Sequence, residues 1–407
     1  MLITRVCFNA IQKHLQQKIK FSGPITVSEY MKTVLTGPTG FYMENDVFGK
    51  QGHFITSPEI SQIFGELIAI WLINESRRFN KEFLNIVELG PGRGTLTSDM
   101  LRIFARLGYT KDKVQINLVE VSPHLAKLQE NKLCGSNSIE WDLNYFTKSS
   151  TTSLGYPITW YQSFEQVPSN KGFTFFLANE FFDALPIHKF QKSSDGEWRE
   201  VLIDIDNEGK FRYIISRHPT PACKSLISEK HKCMTHLEVC PQAFVILDKI
   251  SQQINQSAGC CLICDYGFDQ ESDDPGLHDT FRAFRNNAPW DPLKEPGQAD
   301  LTADVDFGGL KKHLEQKSLV FGPTSQENFL INMGIGVRLQ MLMNQEQEKE
   351  KRDEILSGVK MLLNDMGQRF KFMAFYPLDS KHLFTYDPPG FLFICEPYED
   401  QSTKPSA

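Results

Sequence analysis

The run Phe83 to Leu89 reads as a strand, and Gly90-Pro91-Gly92-Arg93-Gly94 turns it directly into a helical stretch, Thr95 to Leu107. A strand that enters a helix through three glycines begins a βα unit. Such units build parallel sheets, because parallel neighbours need a long crossover, usually helical. Glycine lets the backbone turn tightly and approach a ligand with no β-carbon in the way. The N–H groups of the following helix then face whatever sits over the turn. The alternation continues downstream. Val114 to Val119 is a second strand, with Ser122-Pro123 starting the next helix. Ile158 to Tyr161 is a weak third, Phe173 to Ala178 a strong fourth, and Cys260 to Cys264 a fifth ending at Asp265. This pattern predicts an α/β fold: a doubly wound, mostly parallel sheet with helices on both faces.

Flanking segments add to that core. Residues 25–80 read as helical, with Thr26 or Ser28 capping one helix and Ser57-Pro58 opening another that runs through Ile60 to Trp71. Trp198 to Ile203 and Phe211 to Ile215 suggest a hairpin around Asn207-Glu208-Gly209, followed by a helix from Pro241 to Ile254. Residues 266–325, rich in Gly, Pro and Asp, predict a long irregular insertion. Helices over Gln326 to Leu342 and Lys349 to Met366, and strands over Phe370 to Phe375 and Phe391 to Cys395, close the chain.

Composition removes several alternatives. No apolar run reaches the roughly 18 residues of a membrane-spanning helix. A net charge of −7 disfavours a general nucleic-acid binder. The nine cysteines are few for 407 residues and odd in number, so a disulfide framework is not expected. The C-x-x-C within Cys260-Cys261-Leu262-Ile263-Cys264 sits on an apolar strand without a second pair, so buried thiols are expected there and no metal. The first 28 residues hold Arg5, Lys13, Lys18 and Lys20 but no acid, the pattern of a mitochondrial presequence or of a basic helix.

The glycine loop distinguishes between cofactors. A dinucleotide loop reads G-x-G-x-x-G. Here Glu88-Leu89-Gly90-Pro91-Gly92-Arg93-Gly94 places an acid just before the loop and proline second. It resembles the S-adenosyl-L-methionine loop of class I methyltransferases, in which the acid and loop backbone handle the methionine end. Glu120, at the end of the second strand, suits the ribose hydroxyls, although a solvated strand-end acid is the alternative.

The fourth strand runs into Asn179-Glu180-Phe181-Phe182-Asp183-Ala184-Leu185-Pro186. In open α/β sheets, ligands sit beyond the carboxyl ends of the strands. Paired carboxylates there suit a guanidinium acceptor, which binds carboxylates bidentately. An acidic helix start stabilised by the macrodipole is the alternative. The expected catalytic residues are Glu180, Asp183 and Asp265. Asp300, Asp304 and Asp306 could receive a basic peptide, while Arg282 and Arg285 could bind a substrate carboxylate or pin the insertion to an acidic strand end.

Several strings go beyond a generic methyltransferase. They include Phe54-Ile55-Thr56-Ser57-Pro58-Glu59-Ile60-Ser61, Asn179 to Pro186, Arg282-Ala283-Phe284-Arg285 and Ala299 to Phe307. In this order, over about residues 23–397, the chain resembles the MidA family, whose animal members are mitochondrial protein-arginine methyltransferases that assist complex I assembly. The resemblance implies a matrix enzyme using S-adenosyl-L-methionine for symmetric dimethylation of an arginine in the 49-kDa-type iron–sulfur subunit of complex I. A homodimer is compatible with it. The expected cofactor residues are Glu88, Gly90, Gly92, Gly94, Thr95, Glu120 and Asn179, with Ser57 and Glu59 from a covering segment. The implied organisation is a presequence at 1–22, a helical lid at 23–80 and a core at 81–265 with a hairpin insertion near 191–240. A substrate-binding insertion at 266–325, closing elements at 326–397 and a tail at 398–407 complete it. His53, where the family usually has Asp, and Leu277-His278-Asp279, where a Gly-Asp pair is usual, depart from the pattern. A small-molecule methyltransferase of the same fold and a non-catalytic assembly chaperone are the competing expectations.

Overall fold

The computed structural model describes residues 2–44, 56–135, 147–168, 172–269 and 279–392, and the side chains of residues 2–9, 44 and 230 are outside that description. His53, Leu277-His278, the tail and residues 393–395 of the expected last strand fall outside the described residues.

The core sheet contains β1 (Leu84–Leu89), β2 (Val114–Val119), β3 (Thr147–Thr151), β4 (Pro157–Tyr161) and β5 (Phe173–Asn179). It continues with β6 (Ala258–Phe268), β7 (Ser318–Ser325) and β8 (Phe370–Pro377). Their spatial order is β7-β8-β6-β5-β1-β2-β4-β3. The strands β6, β5, β1, β2 and β4 run parallel. The edges β3, β8 and β7 are antiparallel to their neighbours. The chain moves outward from β1 to β2 on one side and returns to β5 on the other. That reversal opens a crevice above the carboxyl ends of β1 and β5.

Every residue of β1 and of β5 is buried, as a parallel sheet covered on both faces requires. Successive residues point to opposite faces. Ile86 and Phe175 pack beneath Phe64, Trp71, Met100 and Phe104 of helices Gln62–Arg78 and Thr95–Arg106. Val87 and Phe176 pack on the other side with Leu247 and Ile250 of helix Pro241–Gln256. Each such large side chain contributes about 1.5–3 kcal/mol on burial.

A second, antiparallel sheet carries the expected hairpin, Trp198–Ile205 with Phe211–Ile215. Its turn is closed by Asp206, whose Oδ1 accepts from the N–H groups of Glu208 and Lys210. Val201 and Ile203 of this sheet share a core with Tyr30 and Met31 of helix Val27–Thr36, capped by Thr26. The same core takes in Ile11, Leu15 and Ile19 of helix Leu2–Ser22, and Gln16 Nε2 donates to Gly209 O at 2.8 Å.

The structure corrects four local expectations. The helix expected from Ser57 is a single turn, Ser57–Ile60. It stops at Ser61, whose Oγ accepts from Ile63 N and caps Gln62–Arg78. The helix expected over Gln326 to Leu342 breaks at Gly334, which has φ +82°. The described part of the insertion has regular structure. It holds a three-stranded sheet (Arg282–Arg285, Ala288–Trp290, Asp300–Thr302), a short strand Val305–Asp306 parallel to the end of β6, and helix Phe307–Leu314. Its hairpin turns at Asn286 and Asn287, both at positive φ, a conformation Asn tolerates. Finally, β3 was not expected; as a polar edge strand it has no apolar pattern to betray it.

Candidate active site

The glycine loop closes β1. Gly90, Gly92 and Gly94 have φ of +62°, +54° and +76°, the left-handed region in which side chains are strained. A β-carbon on Gly90 would lie 2.9 Å from Phe181 Cδ2. Gly94 precedes helix Thr95–Arg106, so that helix presents its free N–H groups to the crevice. Glu88 lies just below the loop, buried, and accepts a hydrogen bond from Thr97; burial raises its carboxyl to about 8. Glu120 stands at the end of β2. It accepts from Ser122 N at 2.8 Å and Gln129 Nε2 at 3.0 Å, and burial outweighs both bonds to raise it to about 7. Gln129 was not expected here. It also donates to Gly92 O at 2.7 Å and accepts from Trp160 Nε1 at 2.9 Å, tying the glycine loop to the acid of β2. Its signal was a buried polar position on the helix that Ser122 caps.

Beside these groups lies a cavity of about 360 Å³, lined by Leu89, Gly90, Glu120, Phe164, Phe181 and Tyr42 among others. The turn Ser57–Ile60 crosses the other side of the loop. Ser57 N donates to Glu180 Oε1 at 2.8 Å. Glu59 accepts from the Thr95 hydroxyl, Lys132 donates to that same hydroxyl, and the Arg93 guanidinium lies 3.8 Å from Glu59.

At the end of β5, Asn179 donates weakly to Glu180 Oε1 at 3.4 Å, and its own Oδ1 is buried with no partner. Glu180 has φ +50°, a strained conformation for a non-glycine residue, and is held by its N–H on Cys264 O at 2.8 Å. Burial raises its carboxyl to about 8, opposed by the Ser57 N–H. Asp183 Oδ2 accepts from the hydroxyls of Tyr266 and Thr302, while Oδ1 is buried and unpartnered. Burial also raises Asp183.

Asp265 binds the loop that carries Glu180 and Asp183. Its Oδ2 accepts from the N–H groups of Phe181, Phe182 and Asp183 at 3.1, 2.9 and 3.3 Å, and Oδ1 accepts from Tyr266 N at 3.0 Å. Both of its oxygens thus accept from the backbone around Glu180 and Asp183. The insertion acids also separate. Asp304 pairs with Arg282, and Asp306 Oδ1 caps helix Phe307–Leu314 through Gly309 N at 2.8 Å. Arg282 further donates to Thr280 O at 3.0 Å and lies 5.1 Å above the Tyr266 ring. These contacts engage all three expected substrate-binding residues, Asp304, Asp306 and Arg282, inside the insertion. Arg285 stays with Glu295 at 2.6 Å. Asp300 is different. It is buried, accepts from Tyr42 Oη at 2.6 Å, and is raised by burial and by the nearby Asp183 and Glu180.

The donor set fits S-adenosyl-L-methionine. The glycine cradle leaves no room for a β-carbon at Gly90, Glu120 can accept hydroxyls, and the free Asn179 Oδ1 awaits a donor.

Comparison with known proteins agrees. The family model for S-adenosyl-L-methionine-dependent methyltransferases matches residues 67–324. Among curated relatives, protein arginine methyltransferase NDUFAF7, mitochondrial, of Xenopus laevis is 45% identical over 92% of this chain and 86% of its own. The protein of that name from Homo sapiens is 45% identical over 90% and 83%. Among solved structures, a superfamily member from Burkholderia thailandensis bound to S-adenosyl-homocysteine superposes with a TM-score of 0.74 at 23% identity, covering 92% of this chain and 95% of that one. That likeness concerns the fold, and it matches the switch-point architecture derived above. With the glycine cradle, the crevice and these relatives together, the chain belongs to the S-adenosyl-L-methionine-dependent methyltransferase family.

Proposed function

We propose that this chain is a protein-arginine N-methyltransferase of the mitochondrial matrix, acting on the 49-kDa-type iron–sulfur subunit of complex I to give symmetric dimethylarginine. The observation that carries the arginine acceptor is Asp183. Its Oδ1 is buried and unpartnered, beside Glu180 and next to the cofactor cavity. A buried acceptor atom without a donor is costly, and a guanidinium would satisfy it. The names of the curated relatives support the same acceptor and the mitochondrion. The motif resemblance to the MidA family supports the matrix, the complex I client and symmetric dimethylation.

S-adenosyl-L-methionine supplies an electrophilic methyl group on a sulfonium. The chain's own residues do the rest. Gly90 to Thr95 and Glu120 hold the donor, with Glu88 below the loop and Ser57 and Glu59 closing over it. Glu180 and Asp183 hold the guanidinium in line, and alignment contributes much of the rate. The attacked nitrogen must lose a proton, and free arginine keeps it at any physiological pH. Proton loss therefore accompanies or follows attack, to Asp183 Oδ1 or to Glu180, in the carboxylate form that the bound guanidinium favours over the protonated one. The presequence was expected at 1–22; the one proposed here is shorter and ends before Ile11, because Ile11, Leu15 and Ile19 pack in the N-terminal core. Sequencing the N-terminus of the imported protein checks this.

The test of function is label transfer from methyl-labelled cofactor to the purified subunit, followed by hydrolysis and separation of arginine derivatives. Label in symmetric dimethylarginine is expected, and its loss in Glu180→Ala. Label in a metabolite but in no protein would overturn the proposal, as would complex I assembly rescued fully by Gly92→Val.

A further inference from the structure

Tyr42 belongs to neither half of the crevice and is bonded to both. It lies in the short helix Phe41–Glu44, where Phe41 supplies the buried apolar anchor and Tyr42 packs edge-on against it at 5.4 Å between ring centroids. The backbone carbonyl of Tyr42 accepts from Ser122 Oγ at 2.6 Å. Ser122 is the residue whose N–H binds Glu120 and whose hydroxyl caps the following helix. At its other end, the Tyr42 hydroxyl donates to Asp300 Oδ1 at 2.6 Å, with Asp183 and Glu120 close enough to act on it. Tyr42 also lines the cavity between those acids.

We propose that Tyr42 is a positioning residue that couples the two ligand sites. A cofactor seated against Glu120 fixes Ser122 and with it the Tyr42 backbone. Tyr42 so fixed holds Asp300 beside Asp183, where the acceptor guanidinium is received. The proposal rests on the arginine-acceptor reading. Such coupling is reciprocal, and in proteins it is typically about 5–150-fold.

The test uses the full chain, S-adenosylhomocysteine as the cofactor probe, and a synthetic peptide with one arginine together with its citrulline twin. Peptide affinity is measured by titration calorimetry with and without saturating S-adenosylhomocysteine. In the wild type the arginine peptide tightens about tenfold, within the range of such couplings. In Tyr42→Phe, which keeps the ring, the ratio falls to about one. Ser122→Gly cuts the other tie while keeping the N–H on Glu120, at only a small cost to the helix cap, and loses the ratio too. A ratio unchanged in both variants overturns the coupling. Equal binding of the arginine and citrulline peptides overturns the arginine reading instead, and the ratio measured with either peptide then decides the coupling by itself. A wild-type chain that binds neither peptide overturns both.

Discussion

In the cofactor half of the crevice, the acids of β1 and β2 meet donors from their own stretch of chain. Glu88 is bonded by Thr97, nine residues on, and Glu120 by Ser122 and Gln129. In the acceptor half, on β5, β6 and the insertion, the acids act on one another: Asp183 raises the proton affinity of Glu180, and both raise that of Asp300. Among the described residues, the Arg282 guanidinium acts on Asp183 but is held by Asp304. Buried charge without a partner is expensive. The first half is therefore complete as folded, apart from the cofactor itself. The second carries an excess of acid that a cation relieves, and that asymmetry distinguishes a donor site from an acceptor site.

Gly92→Val breaks the cofactor half most completely. A β-branched residue at φ +54° is strained by about 1–3 kcal/mol and projects a side chain at the loop. Methyl transfer should fall at least ~100-fold, with loss of S-adenosylhomocysteine binding by equilibrium dialysis; retained binding would show that the loop is not the cradle. Asp183→Asn attacks only the acceptor half. Turnover should fall by about 100-fold, the low end for losing a general base, while cofactor binding and thermal midpoint hold. A variant that loses cofactor binding as well would erase the distinction between the halves. Asp265→Asn tests position against chemistry. It places an amide against three backbone N–H donors, so stability should fall by about 2 kcal/mol in urea unfolding, with activity following the folded fraction. Full stability with no turnover would return Asp265 to a direct role.

The pH dependence separates the halves more gently. Glu88 and Glu180 sit near 8 and Glu120 near 7, all above the ordinary 4.5. The folded chain thus holds protons that the unfolded chain has released. Their stabilisation is complete below about pH 4.5 and is lost as pH rises through 7 to 8. The cofactor-free protein should melt lower at pH 8.5 than at pH 6, and Glu180→Gln should flatten that slope. An unchanged slope would mean that Glu180 does not titrate in this window.

Much of the cofactor half was legible because its geometry is local. Three glycines in five residues, an acid before them, and Ser122-Pro123 after the next strand can be read from neighbours alone. The caps at Thr26 and Ser122 and the hairpin near Gly209 follow for the same reason. The acceptor half was legible only as a composition of acids. Asp183, Asp265, Asp300 and Asp304 look alike in sequence, and the partners that tell them apart lie 22 to 258 residues away. Long-range pairing decided which acid is free, which is a clamp and which is pinned. Asp306 is the exception, since Asp306 with Gly309 at the start of a helix is a local cap that its acidic neighbours obscured. Tyr42 carried no motif at all; its role comes from two contacts, one across 80 residues and one across 258.

The smallest effect is expected at Arg282, at the rim of the acceptor half. The planar guanidinium pairs with Asp304, donates to Thr280 O and covers the Tyr266 ring at once. Lysine has a point charge and no fork, so it can keep the ion pair but not the rest. Tyr266 in turn donates to Asp183, so loosening the pin loosens one support of the acceptor acid. The lost stacking is worth about 0.5–1 kcal/mol at a partly exposed site. Arg282→Lys should therefore raise the acceptor KM about two- to fivefold, with kcat and cofactor affinity nearly unchanged. Loss of turnover at saturating acceptor would put Arg282 at the reacting atoms. The acceptor half would then hold its own compensating cation, and the contrast between the two halves would fail.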